Sequence, residues 1–349
     1  MPRITHARFL AVLGIAASSL MLAPVAQASA SAPAQPASRA GSGKEIDLRP
    51  RFKEGEELRY VMTLENDGLT EIAGLDSSKQ KSWQQIEFRM KTIASDPQTG
   101  STVELIYDTL RVTLDAGETK LQYDSTKKNV APAKPGGRNT SKPSSAKPGS
   151  KAKGDPVEDL LSQDEADPSE SFLNALESVV GSKLTLKVAP DGSITSVEGG
   201  EGLSSALVSK YAGPITDPQG VKDLFGPIFS VRAAKTTARV GESWQHVDRM
   251  DLSMLGALRL VTDHQLKSAS GDRATVDFKG KIEMDSEGAA PMQSFKLTDT
   301  RYEGSYIWNT GIGALETMQQ VQEFSLSGGT ADAAIKLRNN GKVKIERRR

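Results

Sequence analysis

The chain has 349 residues, and its 44 lysines and arginines balance 44 aspartates and glutamates, which gives a formal net charge of zero. This length suits one large domain or two ordinary ones, and the balanced charge creates no overall field that would attract nucleic acid or an anionic membrane. Cysteine is absent, so disulfides, thiol catalysis and thiolate metal sites are excluded.

Residues 1–30 predict a secretory signal peptide. Arg3 and Arg8 supply the positive start, residues 9–22 form an apolar run, and the small residues at 26–30 offer a cleavage site. That run is shorter than the roughly 20 residues that a membrane-spanning helix needs. We therefore expect Sec-type export to the periplasm or the exterior, no transmembrane segment in the mature chain, and a flexible N-terminus over residues 31–45.

Residues 46–125 form the first half of a predicted β domain. Apolar and polar side chains alternate with period two over residues 58–65, 86–91 and 103–114, which is typical of antiparallel strands with one buried face. The apolar stripe of the third segment shifts near Asp108, which predicts a β-bulge there.

Residues 126–170 have a different composition and interrupt the domain. Eight basic residues and no acidic one lie between Lys127 and Lys153, and the acidic stretch 155–170 follows. With so few aliphatic residues, this insertion is predicted to be disordered. It lacks the interleaved aromatic residues that stack on bases, so we expect no nucleic-acid partner.

Residues 171–238 complete the first half with a hairpin and short helices. The pattern predicts a helix over 172–180, a hairpin over 183–197 and two more helices within 203–231. Asp217 is expected to cap the last helix, with Pro218 in its first turn. Phe225 and Phe229 lie on the apolar stripe of that helix, which we interpret as the face that packs against the sheet.

Residues 239–349 form the second half, beginning with three strands over 239–284. The last strands are predicted to end in a hairpin that turns at Asn339-Asn340-Gly341. The order of a Gly-Glu pair, two strands, a glycine-containing turn and a third strand occurs in both halves, which suggests related halves. The predicted fold is mainly β, a curved antiparallel sheet or partly open barrel built from two related halves, with short helices packed on one side.

One polar cluster interrupts the apolar face of the second half. If the first hairpin turns near residues 255–256, His246 lies opposite His264 and Asp248 opposite Thr262. Opposed Cβ atoms are about 5 Å apart, and two imidazoles with a carboxylate are a ligand set that zinc accepts. The alternatives are a hydrogen-bonded polar pair or a solvated end of the face.

Several familiar catalytic signatures are missing from the sequence. It contains no G-x-S-x-G, no P-loop, no G-x-G-x-x-G after a strand and no H-E-x-x-H. The carboxylates of the expected strands lie mostly on polar faces, which does not favour a glycosidase pair. These patterns favour a non-enzymatic protein without a cofactor.

Four motifs carry a family resemblance. They are LRPRFKEGEELRY at 48–60, PDGSITSV at 190–197, VGESW at 240–244 and TGIGALE at 310–316. Together they resemble an uncharacterised family of exported bacterial β-rich proteins, a domain of unknown function. The resemblance covers most of residues 46–345 apart from the insertion, and it implies a fold without implying an activity or a catalytic residue.

Three functions remain open at this point. The first is binding of a lipid or other hydrophobic molecule in a concave apolar face, with candidate residues Trp244, Met250, Leu260, Phe225 and Phe229. The second is a structural or interaction module of the cell envelope. The third is a metal-dependent hydrolase centred on His246 and His264. The sequence does not fix the ligand, the partner or the oligomeric state.

Overall fold

The computed structural model describes residues 43–74, 77–117, 119–127, 168–200, 215–230, 236–251, 257–284, 296–328 and 334–349. The expected signal peptide, most of the charged insertion and the helix expected within 203–211 lie outside these ranges, and they stay predictions. In the described ranges no helix is long and apolar enough to cross a bilayer.

The described residues form fourteen strands and two helices. The strands are β1 (Ile46–Asp47), β2 (Glu57–Ile72), β3 (Ser78–Asp96), β4 (Gly100–Ala116), β5 (Thr119–Asp124), β6 (Lys183–Val188), β7 (Ile194–Gly199), β8 (Thr237–Ala238), β9 (Ser243–Asp251), β10 (Ala257–Ser270), β11 (Arg273–Met284), β12 (Lys296–Asn309), β13 (Ala314–Gly328) and β14 (Ile335–Arg348). The helices are α1 (Pro168–Glu177) and α2 (Pro218–Phe229).

Twelve strands form one antiparallel sheet, in the order β7-β6-β4-β3-β2-β14-β13-β12-β11-β10-β9, with β5 also paired to β4. Strands β1 and β8 pair separately. The path has two ends, at β7 and β9, and the sheet does not close. The predicted fold class, a mainly β protein with an antiparallel sheet and few short helices, is confirmed.

The two halves of the chain meet at β2 and β14. Strands of the first half occupy one side of the sheet order and strands of the second half the other. The joining ladder runs from the Arg59–Arg348 pair to the Ile72–Ile335 pair. Side chains from both halves also pack into one hydrophobic cluster, so the halves share a sheet and a core.

The inner face of the sheet is defined here as the face that carries the buried side chains Tyr60, Met62 and Leu64 of β2. Helix α2 packs on this face. Phe225 of α2 lies with its ring centroid 4.9 Å from that of Phe88 and 6.1 Å from that of Tyr107. The helix therefore covers the apolar side chains of the first half, as the amphipathic pattern predicts.

Helix α2 starts where the sequence predicts it to start. The carboxylate of Asp217 accepts hydrogen bonds from the backbone amides of Gln219 (3.0 Å) and Gly220 (2.9 Å), and Pro218 is the first helical residue. These bonds satisfy amides that a helix start otherwise leaves unpaired. The helix ends at Phe229, two residues beyond Pro227.

The predicted bulge in β4 is confirmed. Glu87 pairs with Thr109 and Phe88 pairs with Tyr107, so Asp108 is the extra residue. A single extra residue reverses which side chains point to which face. Tyr107 is thereby buried on the inner face, where its hydroxyl donates a 2.5 Å hydrogen bond to the Ile215 carbonyl.

The predicted C-terminal hairpin is wrong. Strand β14 continues through Asn339-Asn340-Gly341 without a turn. Asn339 pairs with Phe324 of β13 on one side and with Gly68 of β2 on the other. Pairing on both sides stabilises an extended backbone, and this tertiary arrangement overrides the local turn preference of Asn-Gly.

Two glycines of the second half make room for aromatic rings. A Cβ at Gly280 would lie 2.9 Å from Cδ1 of Tyr302, and a Cβ at Gly304 would lie 2.6 Å from Cζ of Phe278 and would overlap the backbone oxygen of Gln319. Aromatic side chains thus cover the strand positions that lack a side chain of their own.

Replacement of Gly304 by alanine is expected to lower the free energy of unfolding by about 1–3 kcal/mol, because the added methyl group overlaps backbone. Gly68→Ala is the matched control in β2, where an added Cβ would meet nothing nearer than 3.9 Å. That control should be neutral or stabilising by up to about 1 kcal/mol. Denaturant unfolding of both variants measures the difference, and equal effects would contradict the packing.

An ion pair with a buried carboxylate joins the start of β11 to β13 across the end of β12. Glu316 is 6% exposed and accepts hydrogen bonds from the guanidinium of Arg273, with Nε at 2.8 Å. This charge-assisted contact holds the pKa of the Glu316 carboxyl below its ordinary value of 4.5, against the opposing effect of burial.

We expect the Arg273–Glu316 ion pair to stabilise the folded protein less in acid than at neutral pH. The pKa of Glu316 is lower in the folded than in the unfolded protein. The contribution of Glu316 to the free energy of unfolding is therefore complete above the unfolded pKa and is lost as pH falls through the folded pKa. Glu316→Gln should be less stable than the wild type at neutral pH and should lose less stability below pH 4.5. Melting curves across this range check it, with the exposed Glu283→Gln as control. Parallel pH profiles for wild type and Glu316→Gln would refute the assignment.

Candidate functional site

A row of polar residues and glycines crosses the inner face from β3 to β9. Neighbouring strands place these residues directly opposite one another, and we call them the polar row. Its members, in sheet order, are Ser82, Asn66, Gly341, Gln322, Tyr302, Gly280, Thr262 and His246. Eight consecutive strands therefore contribute a polar side chain or none at one level of the inner face.

Several members of the polar row are deeply buried. Asn66, Gln322 and Thr262 are 4%, 3% and 1% exposed. Two residues further along the strands, the same face still carries the polar side chains of Gln84, Gln320 and His264. Four residues further, it is apolar apart from one tyrosine hydroxyl. That row contains Ile86, Met62, Ile345, Met318, Tyr306, Val276 and Leu266. Burial of polar groups without hydrogen-bond partners is costly, so the polar row requires a physical explanation.

Three carboxamides on the central strands carry several buried polar atoms without a hydrogen-bond partner in the described part of the chain. They are Asn66, Gln322 and Asn339, and we call them the amide cluster. Oδ1 of Asn66, Nε2 of Gln322 and both amide atoms of Asn339 have no hydrogen-bond partner among the described residues. Buried amides in folded proteins are almost always bonded to protein or water, so these atoms are suited to contact a further molecule.

At the β9 end of the polar row, His246 contacts Asp248. Nε2 of His246 lies 2.9 Å from Oδ1 of Asp248, and Asp248 is 1% exposed. The expected pairing of His246 with His264 is wrong. His246 lies opposite Thr262, and Asp248 lies opposite Leu260. The register of β9 and β10 therefore differs from the predicted one by two residues. Each residue of β9 pairs with a residue of β10 two positions earlier than expected.

His264 belongs to an aromatic cluster. Its ring stacks on Trp244 with centroids 5.7 Å apart and planes within 3°, and it also contacts Phe278 at 5.7 Å. Nδ1 of His264 lies 3.3 Å from the hydroxyl of Tyr306. In the described part of the chain, no three His, Asp or Glu residues are grouped closely enough to hold a metal ion. The structure thus separates the expected ligand set into a His–Asp pair and a stacked ring.

The expected ligand-binding residues contact one continuous core. Leu260, Phe225 and Phe229 are at most 2% exposed, and Trp244 is partly exposed against the same core. The side chain of Met250 lies outside the described part of the structure. Trp244 stands on the edge strand β9, so it connects the aromatic cluster with solvent.

Sequence reasoning missed the polar row, although each member leaves a local signal. In β2 the buried alternation of Tyr60, Met62 and Leu64 continues into Asn66, and in β13 Gln322 precedes the buried Phe324. A polar residue at an apolar position is visible in each strand alone. Only the register shows that these positions are adjacent.

The opposite face of the sheet, which we call the outer face, holds a groove of about 760 Å³ across β2, β3 and β11–β14. Its charged side chains are of both signs. Lys344 lies 2.9 Å from Glu346, and Lys342 lies 3.9 Å from Glu65. The sequence predicts this face only as a solvated surface.

Comparison with solved structures gives three resemblances at low TM-scores. They are lipovitellin, from a structure of its lipid–protein interactions (TM-score 0.40, 9% identity, 84% of this chain and 25% of that chain); DynF, from the dynemicin biosynthesis pathway of Micromonospora chersina (0.17, 6%, 89% and 92%); and the translocator domain of the autotransporter NalP from Neisseria meningitidis (0.18, 9%, 83% and 89%). The chain spans a quarter of the length of lipovitellin. TM-scores this low carry no functional conclusion.

Comparison with curated proteins found no match. The model of a family of unknown function, DUF6263, matches residues 156–348, more than half of the chain.

Zinc is expected to leave the melting temperature unchanged, because His246 and Asp248 provide two ligands and His264 faces the aromatic cluster. Thermal melts with and without zinc measure this. A zinc-dependent rise in melting temperature that the His246→Ala, His264→Ala double variant abolishes would contradict the separation of His264 from His246 and Asp248. It would favour the metal site.

Proposed function

The chain belongs to the DUF6263 family, a family of unknown function, and we propose that it is an exported, non-enzymatic protein that binds a lipid or another hydrophobic molecule on the inner face of its sheet. The apolar rows of that face would hold a hydrocarbon tail, and the polar row would hold a polar group attached to it. Export is supported by the sequence of residues 1–30.

The observation that carries this proposal is the polar row itself. A core that only stabilises the fold gains nothing from buried amides, since each unpaired donor or acceptor costs about 1–3 kcal/mol. A ligand with a polar group and an apolar tail would satisfy these atoms and place its tail against the apolar side chains of the same face. Ligand pockets commonly combine a mainly apolar lining with a few polar groups in this way.

The β9 edge is the proposed entrance. Trp244 is partly exposed there, while its ring stacks on the buried His264. Nε1 of Trp244 and Oγ1 of Thr262 are buried without a hydrogen-bond partner in the described ranges. Val247, also on β9, is 40% exposed. An amphipathic molecule entering at this edge would meet an aromatic ring first and then the polar row.

A second candidate is an interaction module of the cell envelope, which the outer-face groove favours. Its charges of both signs suit a polar partner surface better than a hydrocarbon. This function predicts a stoichiometric protein complex and no bound lipid. Native mass spectrometry of the exported form reports lipid, metal and oligomeric state together, so it distinguishes the two candidates.

The lipid proposal predicts that purified mature protein carries co-purifying lipid and that fatty acids displace a fluorescent fatty-acid probe from it. Trp244→Ala should weaken probe binding by about tenfold, because an aromatic contact at the entrance is lost. Trp83→Ala is the matched control, since Trp83 is partly exposed on the outer face of β3. Absence of both bound lipid and probe binding would refute the proposal.

A further inference from the structure

We infer that the amide cluster is a head-group subsite and that it selects an uncharged head group bearing hydroxyl or amide groups. This inference rests on the proposed lipid binding and specifies the chemistry of the ligand. It places the polar end of the molecule on β2, β13 and β14, at the centre of the sheet.

Two glycines lie among the three amides. Asn66 and Gln322 lie on either side of Gly341, which has no side chain. With strands about 4.8 Å apart, these two residues are about 10 Å from each other. Asn339 lies two positions along β14 on the same face. It is paired with Gly68, where an added Cβ would meet nothing nearer than 3.9 Å. Two positions among the three amides therefore carry no side chain.

The unsatisfied atoms define the ligand chemistry. Oδ1 of Asn66 and Oδ1 of Asn339 are acceptors, whereas Nε2 of Gln322 and Nδ2 of Asn339 are donors. A hydroxyl or an amide both donates and accepts hydrogen bonds, so it can satisfy atoms of both kinds. A carboxylate or an ester only accepts, which would leave the two oxygens unpaired. The cluster supplies no cation to compensate a buried negative charge.

Because the amide cluster is buried, we expect it to discriminate strongly between head groups. Asn66, Gln322 and Asn339 are 4%, 3% and 2% exposed, so bulk water does not replace a missing partner. A site built to hydrogen-bond a substrate hydroxyl discriminates strongly against an analogue without it, because its own polar groups are then left unpaired.

The test compares lipids that share one acyl chain, namely a monoacylglycerol, the free fatty acid and the fatty-acid methyl ester. Displacement titrations with the full mature protein should show the monoacylglycerol binding at least about tenfold more tightly than the methyl ester. Asn339→Leu and Gln322→Met replace amides by apolar groups of similar size. They should abolish this preference and leave the methyl-ester affinity within about twofold.

The matched control is Gln319→Met, an exposed position on the outer face of β13, which should keep the wild-type preference. The melting temperature of ligand-free Asn339→Leu and Gln322→Met should be unchanged or raised, because a buried unsatisfied amide is removed.

The wild-type lipid series tests the inference even if the variants do not fold. Equal affinity for the monoacylglycerol and the methyl ester, or tighter binding of the free fatty acid, would overturn the uncharged head-group subsite. A preference that persists in folded Asn339→Leu and Gln322→Met would also overturn it, and would leave water as the partner of these amides. Failure of all three lipids to bind would instead overturn the proposed function.

Discussion

The ladder between β2 and β14 is the constraint on which the rest of the structure depends. It joins the two halves over all of β14 and nearly all of β2, from the Arg59–Arg348 pair to the Ile72–Ile335 pair. Without it, each half would present a long unpaired strand edge and an uncovered apolar face. The same ladder sets the level of Asn66 against Gly341, so the polar row is continuous only because these two strands pair in this register.

Local signals in the sequence were sufficient for most elements. Period-two alternation identifies β2, β3 and β4, the shifted stripe locates the bulge at Asp108, and an Asp-Pro pair marks the start of α2. Each of these features is determined by residues within a few positions. The local sequence predicts a turn at Asn339-Asn340-Gly341, but the conformation of this segment depends on β2, more than two hundred residues earlier in the chain.

The candidate site was predictable only in part, for the same reason. Sequence alone places His246, Asp248 and His264 on one face. The actual register of β9 and β10 pairs His246 with Thr262 and His264 with Trp244, so the two histidines are not opposite each other. Asn66, Thr262 and Gln322 each look like a local polar interruption of an apolar stripe. Their adjacency is a property of register across many strands, which hydrophobic periodicity does not encode.

The position of β14 also constrains the order of events during biosynthesis. The last of the described strands in sequence occupies the middle of the sheet, between β2 and β13. β14 must therefore leave the ribosome before the two halves can pair. Until then, the strand edges of β2 and β13 that pair with β14 remain free. Such distant pairings slow folding and lengthen exposure to misassembly.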